Sequence, residues 1–232
     1  MTANDIKNQL IAFGNAEKAA HSLYFFKTGK GQYGEGDKFI GITLPEMRAV
    51  LKSYKNLPLG ELETLLIDEI HECRLCALLI LVNQFKRADE VTRGIIVSFY
   101  LSHTKYVNNW DLVDLSSSVI LGEWLVDKDR SILYDLSKSN SLWEQRIAIV
   151  STMTFIRQND FKDALLLSEI YLTHKHDLIH KASGWMLREV GKRDEGALTG
   201  FLDIHHKQMP RTMLRYSIEK LSPEQKKHYM TK

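Results

Sequence analysis

Apolar residues recur at i, i+3 and i+4 along most of the chain, the spacing that gathers them on one stripe of an α-helix. The pattern predicts helices over 4–21, 43–54, 59–69, 72–86, 88–102, 107–125, 129–138, 142–157, 160–174, 178–190, 194–206, 209–220 and 222–230. Start signals support several of them. Thr43-Leu-Pro-Glu46 and Ser141-Leu-Trp-Glu144 read as capping boxes, in which a hydroxyl and a glutamate satisfy free amides of the first turn. Ser222-Pro223 puts proline at the first helical position, and Gly191 sits where a left-handed C-terminal cap is expected. No stretch alternates in the strand manner, and no Pro/Gly/Ser-rich linker divides the sequence. The expectation is one all-α domain over 1–232.

The helices repeat. Helix starts at Glu72, Asn108, Glu144, Lys181 and Arg211 follow one another in steps of 36, 36, 37 and 30 residues. A two-helix unit of this period is the mark of a HEAT-like solenoid, whose second helices line a concave face. Short helix pairs of other folds can imitate so weak a repeat. The register also shows where the sequence departs from itself. Six residues into each unit stand Leu78, Asp114, Val150, Leu187 and Ser217; two residues in stand Arg74, Trp110, Arg146, Ser183 and Met213. Trp110 and Asp114 are four apart and share a helix face. With Arg146 at the place equivalent to Trp110 in the neighbouring unit and Trp185 on the next, two indoles, a guanidinium and a carboxylate are expected to converge on one groove.

Composition changes this picture little. The 232 residues are 44% hydrophobic and 26% charged, with four prolines and thirteen glycines, which is globular and permissive of long helices. A formal net charge of +2 is too mild to argue nucleic-acid binding alone, so any basic surface must come from the distribution of charge. No apolar run reaches the ~20 residues of a membrane span and no leader pattern appears, so a cytoplasmic protein without a membrane partner is expected.

The candidate chemistry has plainer readings beside it. Asp114 could be solvated or cap a neighbouring helix. Tryptophans at helical spacing are usually core, as expected for Trp124 and Trp143. Trp110, beside Asn108, Asn109 and Asp111, reads as exposed at a helix start, and Trp185 follows small or polar neighbours. An exposed Trp–Asp–Arg–Trp set suits a sugar-phosphate ligand. Cys73 and Cys76 form a C-x-x-C pair without a partner pair, so zinc is not expected. Gly29–Gly34 matches G-x-G-x-x-G but lacks the strand that a dinucleotide fold requires. The stretch 27–39 reads as a flexible loop from which Lys27, Lys30 and Lys38 could reach phosphate. His174, His176, His180, His205 and His206 read as surface residues.

The segments YFFKTGKGQYGEGDKFIGITLPEMR (24–48), NNWDLVD (108–114), LWEQRIAI (142–149), HKASGWMLREVGK (180–192) and MPRTMLRYSIEK (209–220) together carry a resemblance. The sequence resembles the DNA alkylation repair enzyme family, the AlkD-like HEAT-repeat glycosylases. The resemblance implies a solenoid that cradles duplex DNA and hydrolyses the N-glycosidic bond of cationic N3- and N7-alkylated purines, as a monofunctional enzyme without metal or other cofactor. It implies Asp114 as the catalytic aspartate, Trp110 and Trp185 as active-site indoles and Arg146 as a phosphate contact. Lys181 and Arg211 are further expected DNA contacts. A monomer, associated with the nucleoid when bound to DNA, is expected. Gln145 departs from relatives that carry a basic residue there. Two other classes stay open: a catalytically silent DNA-structure binder, and a HEAT scaffold for proteins.

Overall fold

The computed structural model describes residues 1–231, which are helical throughout apart from connecting turns and one isolated bridge between Lys38 and Ile70. The chain packs as two compact units, Met1–Ser116 and Ser117 onward.

The first unit holds α1 (Ala3–Ala12), α2 (Ala16–Phe25), α3 (Leu44–Leu51), α4 (Leu59–Leu66), α5 (His71–Arg87), α6 (Glu90–Ser102) and all but the last residue of α7 (Trp110–Ser117). The single helix expected over 4–21 is two. The chain turns at Gly14, and the Asn15 side chain accepts the Lys18 amide (2.9 Å) to start α2. Thr43 starts α3 as expected, its amide and hydroxyl both donating to Glu46 (2.7 and 2.6 Å). Ile6, Leu10, Leu62, Leu66, Leu78, Phe85 and Tyr100 form a fully buried interior.

The stretch 27–39, expected as a flexible loop, is tied down together with the residues that follow it. Lys38 hydrogen-bonds the start of α5 (His71 N to Lys38 O, 2.8 Å), and the buried Glu72 carboxylate accepts the amides of Ile40 (3.1 Å) and Gly41 (2.8 Å). Gly41 has φ +79° and a Cβ there would lie 2.2 Å from the Asn15 carbonyl oxygen, so only glycine fits. The Gly29 and Gly31 amides go to Gln32 and Glu35 within the loop, which leaves them no free cradle for a phosphate.

The second unit continues from α7 through one π turn (Ser118–Gly122), so the helix expected over 107–125 changes its hydrogen bonding midway. Then come α8 (Ser131–Ser137), α9 (Leu142–Ser151), α10 (Met153–Arg157), α11 (Lys162–Ile170), α12 (Asp177–Gly191), α13 (Glu195–His205), α14 (Arg211–Ser217) and α15 (Pro223–Met230). Where the π turn disturbs the ladder, hydroxyls take over: Thr154 donates to the Ser118 carbonyl (2.6 Å) and Ser151 to that of Ser117 (3.3 Å). Packing is tight. A Cβ on Gly122 would fall 2.5 Å from Ser151 O, and one on Gly184 would fall 2.5 Å from both Met213 O and Tyr216 Cβ. Gly191 is helical rather than a left-handed cap; it is small because Leu198 presses on it (2.4 Å from a would-be Cβ). Ser141 caps α9 by accepting the Glu144 amide, but Glu144 bonds Ser139 instead of completing a box. Ser222 and Pro223 open α15 as expected. Trp124 and Trp143 are half-buried rather than core, Trp124 under the Lys128 ammonium (4.3 Å from the ring centre).

Candidate active site

The first unit buries three ionisable side chains, Asp37, His71 and Arg74, in one network that the half-buried Asp111 joins. Asp37, from the loop, accepts Arg74 Nη2 (2.6 Å), His71 Nδ1 (3.1 Å) and Asn109 Nδ2 (3.2 Å). His71 Nε2 reaches Asp111 Oδ2 (2.8 Å), and Arg74 Nη1 donates to the Asp68 carbonyl (2.9 Å). Burial alone would push the imidazole towards neutrality, but the Asp111 and Asp37 carboxylates outweigh it and hold the His71 pKa at about 9. His71 is therefore an imidazolium at neutral pH, donating from both ring nitrogens. Burial works against the Asp37 carboxylate too, yet His71, Arg74 and Asn109 keep it ionised below the usual carboxylate range. Two anions and two cations thus meet in the interior, which is tolerable because each finds an opposite charge at hydrogen-bond distance.

This network fixes the start of α7. Asn109, fully buried, gives one end of its amide to Asp37 and the other to the Trp110 backbone N–H (2.9 Å). Trp110 is half-buried rather than exposed. Its indole lies on Phe26 (5.4 Å between ring centres, 22° between planes) with Phe25 edge-on (5.9 Å), and Phe26 in turn packs on Phe39 and His71 (5.0 Å each). Phe26, Phe39, Met47, Leu75, Asp111 and Leu115 line an open hollow of about 220 Å³ beside it. One turn along α7, Asp114 is only half-buried, whereas Leu78, Val150, Leu187 and Ser217, at the same register, are at most 1% exposed. The repeat buries this position everywhere except where it is a carboxylate.

The other expected site residues belong to the second unit. Arg146 is only 5% exposed and donates from Nη1 to the Leu178 carbonyl (2.6 Å), so its guanidinium is at least partly spent inside the unit. Trp185 is half-buried, with its indole N–H directed to Glu189 one turn on (3.2 Å). Lys181 pairs with Asp177 (2.8 Å), and Arg211 is exposed. Gln145 joins a polar knot at the start of α12: it bonds His174 (2.8 Å), and His180 bonds the His174 carbonyl (2.6 Å). His174, His176 and His180 are thus half-buried and mutually engaged instead of free on the surface; burial lowers the pKa of His174 and of His176.

Sequence reasoning passed over Asp37, His71, Arg74 and Asp111. The available signal was three polar residues, His71, Glu72 and Arg74, at the head of α5, just before the apolar run 75–82. Of the loop lysines, Lys38 pairs with Glu69 (2.7 Å), Lys27 lies over Tyr24 and Lys30 is exposed. Cys73 and Cys76 are buried thiols; burial raises the Cys73 pKa to about 12 and that of Cys76 well above the ordinary thiol value. Among the described residues no group of three or more His, Cys, Asp or Glu side chains is arranged to hold a metal ion.

The model of the DNA alkylation repair enzyme family matches residues 6–221, and the chain belongs to that family. This supports a role in DNA repair. A solved structure described as a predicted DNA alkylation repair enzyme from Enterococcus faecalis superposes with a TM-score of 0.72, covering 90% of this chain and 97% of that one. At 18% identity that likeness bears on the fold alone. No curated protein matches. No helix among the described residues is long and apolar enough to cross a membrane.

Proposed function

We propose that the protein is a monofunctional DNA glycosylase that hydrolyses the N-glycosidic bond of N3- and N7-alkylated purines in duplex DNA, on a HEAT-like repeat scaffold. The observation that carries this reading is Asp114: a half-buried carboxylate at a register position that is otherwise fully buried, one turn from an indole held by a buried network. Alkylation makes the purine cationic, so it leaves as a neutral base without protonation. The sugar passes toward an oxocarbenium ion. The Asp114 carboxylate stabilises that cation and orients the attacking water. The Trp110 ring, pinned by Phe26 and Phe25, presents a π-face that favours an electron-poor partner.

In the second unit, Trp185, Lys181 and Arg211 are the proposed DNA contacts. Arg146 is read as joining α9 to α12 first, so Arg146→Ala should lower stability along with affinity. The testing experiment measures bases released from duplexes that each carry one defined lesion. Release of 7-methylguanine and 3-methyladenine, but not uracil, is expected from the wild type. Asp114→Asn should lose at least ~100-fold in rate while binding persists, as for removal of one transition-state charge partner. Binding without release from any duplex would instead identify a silent DNA-structure binder; wild-type rates in Asp114→Asn would remove the carboxylate from the mechanism.

A further inference from the structure

Away from α7, the first unit has a second hollow of about 260 Å³, between the end of α3 and the outer half of α5. Its floor is apolar: Leu51, Leu79, Ile80 and Val82. Its rim carries Arg48, Lys52, Lys55 and Lys86, all exposed, together with Asn83, and no carboxylate lines it. Arg48 and Lys52 are four apart and so stand on one face of the helix end. None of the four cations is within ion-pair or hydrogen-bond distance of an acid among the described residues, although the chain carries 29 acids against 31 basic residues. In a chain so nearly balanced, four unpaired cations around one greasy depression repel one another and need a reason to be together.

We propose that this groove is a docking site for an acidic peptide segment of a partner protein, one that alternates carboxylates with large apolar side chains. The charge selects the acids, and the hollow takes an apolar anchor. A peptide satisfies both features at once. A nucleic-acid backbone satisfies only the first, since phosphate gains nothing from a floor of leucine, isoleucine and valine and loses water against it. A membrane surface fits poorly because the apolar residues are recessed below the cations rather than projecting beyond them.

The test uses the intact protein and a short fluorescent peptide alternating Asp and Glu with Leu and Phe, read by anisotropy. Binding is expected at low salt and weakens as salt rises, because the rim charges are exposed. Replacing the peptide's acids by Asn and Gln should abolish binding, and replacing its Leu and Phe by Ser should weaken it at least tenfold. Lys52→Ala is expected to weaken binding about threefold, as for a single exposed ion pair, and Lys52→Glu with Lys55→Glu to abolish it. Val82→Ser should weaken it through the floor with the charges intact. Circular dichroism confirms that each variant is folded. No binding by the wild type, or equal binding of the Ser-substituted peptide, overturns the proposal. So does displacement of the peptide by undamaged duplex DNA whose own affinity falls in Lys52→Glu; the groove would then be a backbone track. Base release from lesion duplexes is unchanged by Lys52→Glu, which separates this proposal from the proposed catalytic role of Asp114.

Discussion

Arg74 and Arg146 occupy the same register in the two units, and each ends up almost fully buried and donating to a backbone carbonyl, Asp68 in one case and Leu178 in the other. Their surroundings differ. In the first unit, Arg74 is drawn into a charged network that a long loop delivers: Asp37 comes from the GEGD turn, and His71, Asn109 and Asp111 close around it. In the second, helices meet directly, and glycines at 122, 184 and 191 let backbones or leucine side chains come within a carbon's width. The first unit leans on buried charge beneath the start of α7; the second combines close packing at its glycines with its own ion pairs, Arg130 to Asp160 (2.7 Å) and to the buried Asp163 (2.6 Å). Charge can be retuned by pH and fails abruptly when one partner is removed; packing responds to volume. That places the more responsive chemistry under the start of α7, where Trp110 and Asp114 stand.

The sharpest way to break this contrast is Asp37→Ala. It strands Arg74 and His71 in the interior, and should cost the first unit about 3–5 kcal/mol, as for other buried ion pairs cut on one side. Chemical denaturation gives the total, and amide exchange in α5 and α7 locates it. A loss under 1 kcal/mol would mean that solvent reaches the network and that charge does not hold this unit.

A pH titration comes next. The His71 pKa is raised from 6.5 in the unfolded chain to about 9 in the folded one. Its contribution is therefore complete below pH 6.5 and is lost as pH rises through 9. The shift corresponds to about 3 kcal/mol as an upper bound. Melting temperature should fall between pH 6.5 and 9.5 in the wild type and be flatter in His71→Gln. A wild-type profile as flat as the variant's would show that the imidazole is neutral. Asp37 works in the opposite sense: its lowered pKa adds stability that fades as pH drops below the usual carboxylate range.

In the second unit, Gly184→Ala forces a methyl against the Met213 carbonyl and Tyr216 Cβ, and should cost about 1–3 kcal/mol by overpacking, independent of pH. A pH-dependent loss would blur the distinction between the units. The smallest effect is a control. Gly200 lies within α13 with nothing within 4 Å of a would-be Cβ, so Gly200→Ala should stabilise by about 0.4–1 kcal/mol through helix propensity alone. Destabilisation there would mean that α13 is packed around Gly200 in solution.

Much of the molecule was legible before any coordinates. Helical periodicity survives in one dimension because a buried stripe needs every third or fourth residue to be apolar, and so most helices fell close to their expected bounds, although 4–21 and 142–157 each hold two helices instead of one. The oddity of Asp114 was legible for the same reason: a repeat makes a carboxylate at an otherwise buried position conspicuous. Caps at Thr43 and Ser222 are local chemistry and were readable as such. The split at Asn15 was less so, because one glycine and one asparagine hardly interrupt an apolar pattern.

What only the tertiary structure decided are the meetings of residues far apart in sequence. Asp37 and His71 are 34 residues apart, and Asp37 and Asn109 are 72 apart. No periodicity links a loop aspartate to a helix-start histidine, because their partnership depends on where the chain is carried and on the low dielectric that burial creates there. Burial also gave Arg146 an interior partner in the Leu178 carbonyl and drew Trp110 onto Phe26. The sequence by itself determined which segments are helical and which face each buries. The three-dimensional packing determined which charges are paired, and hence which side chains are held still and which remain available to a partner, since ion pairing depends on distance in space and on exclusion of water.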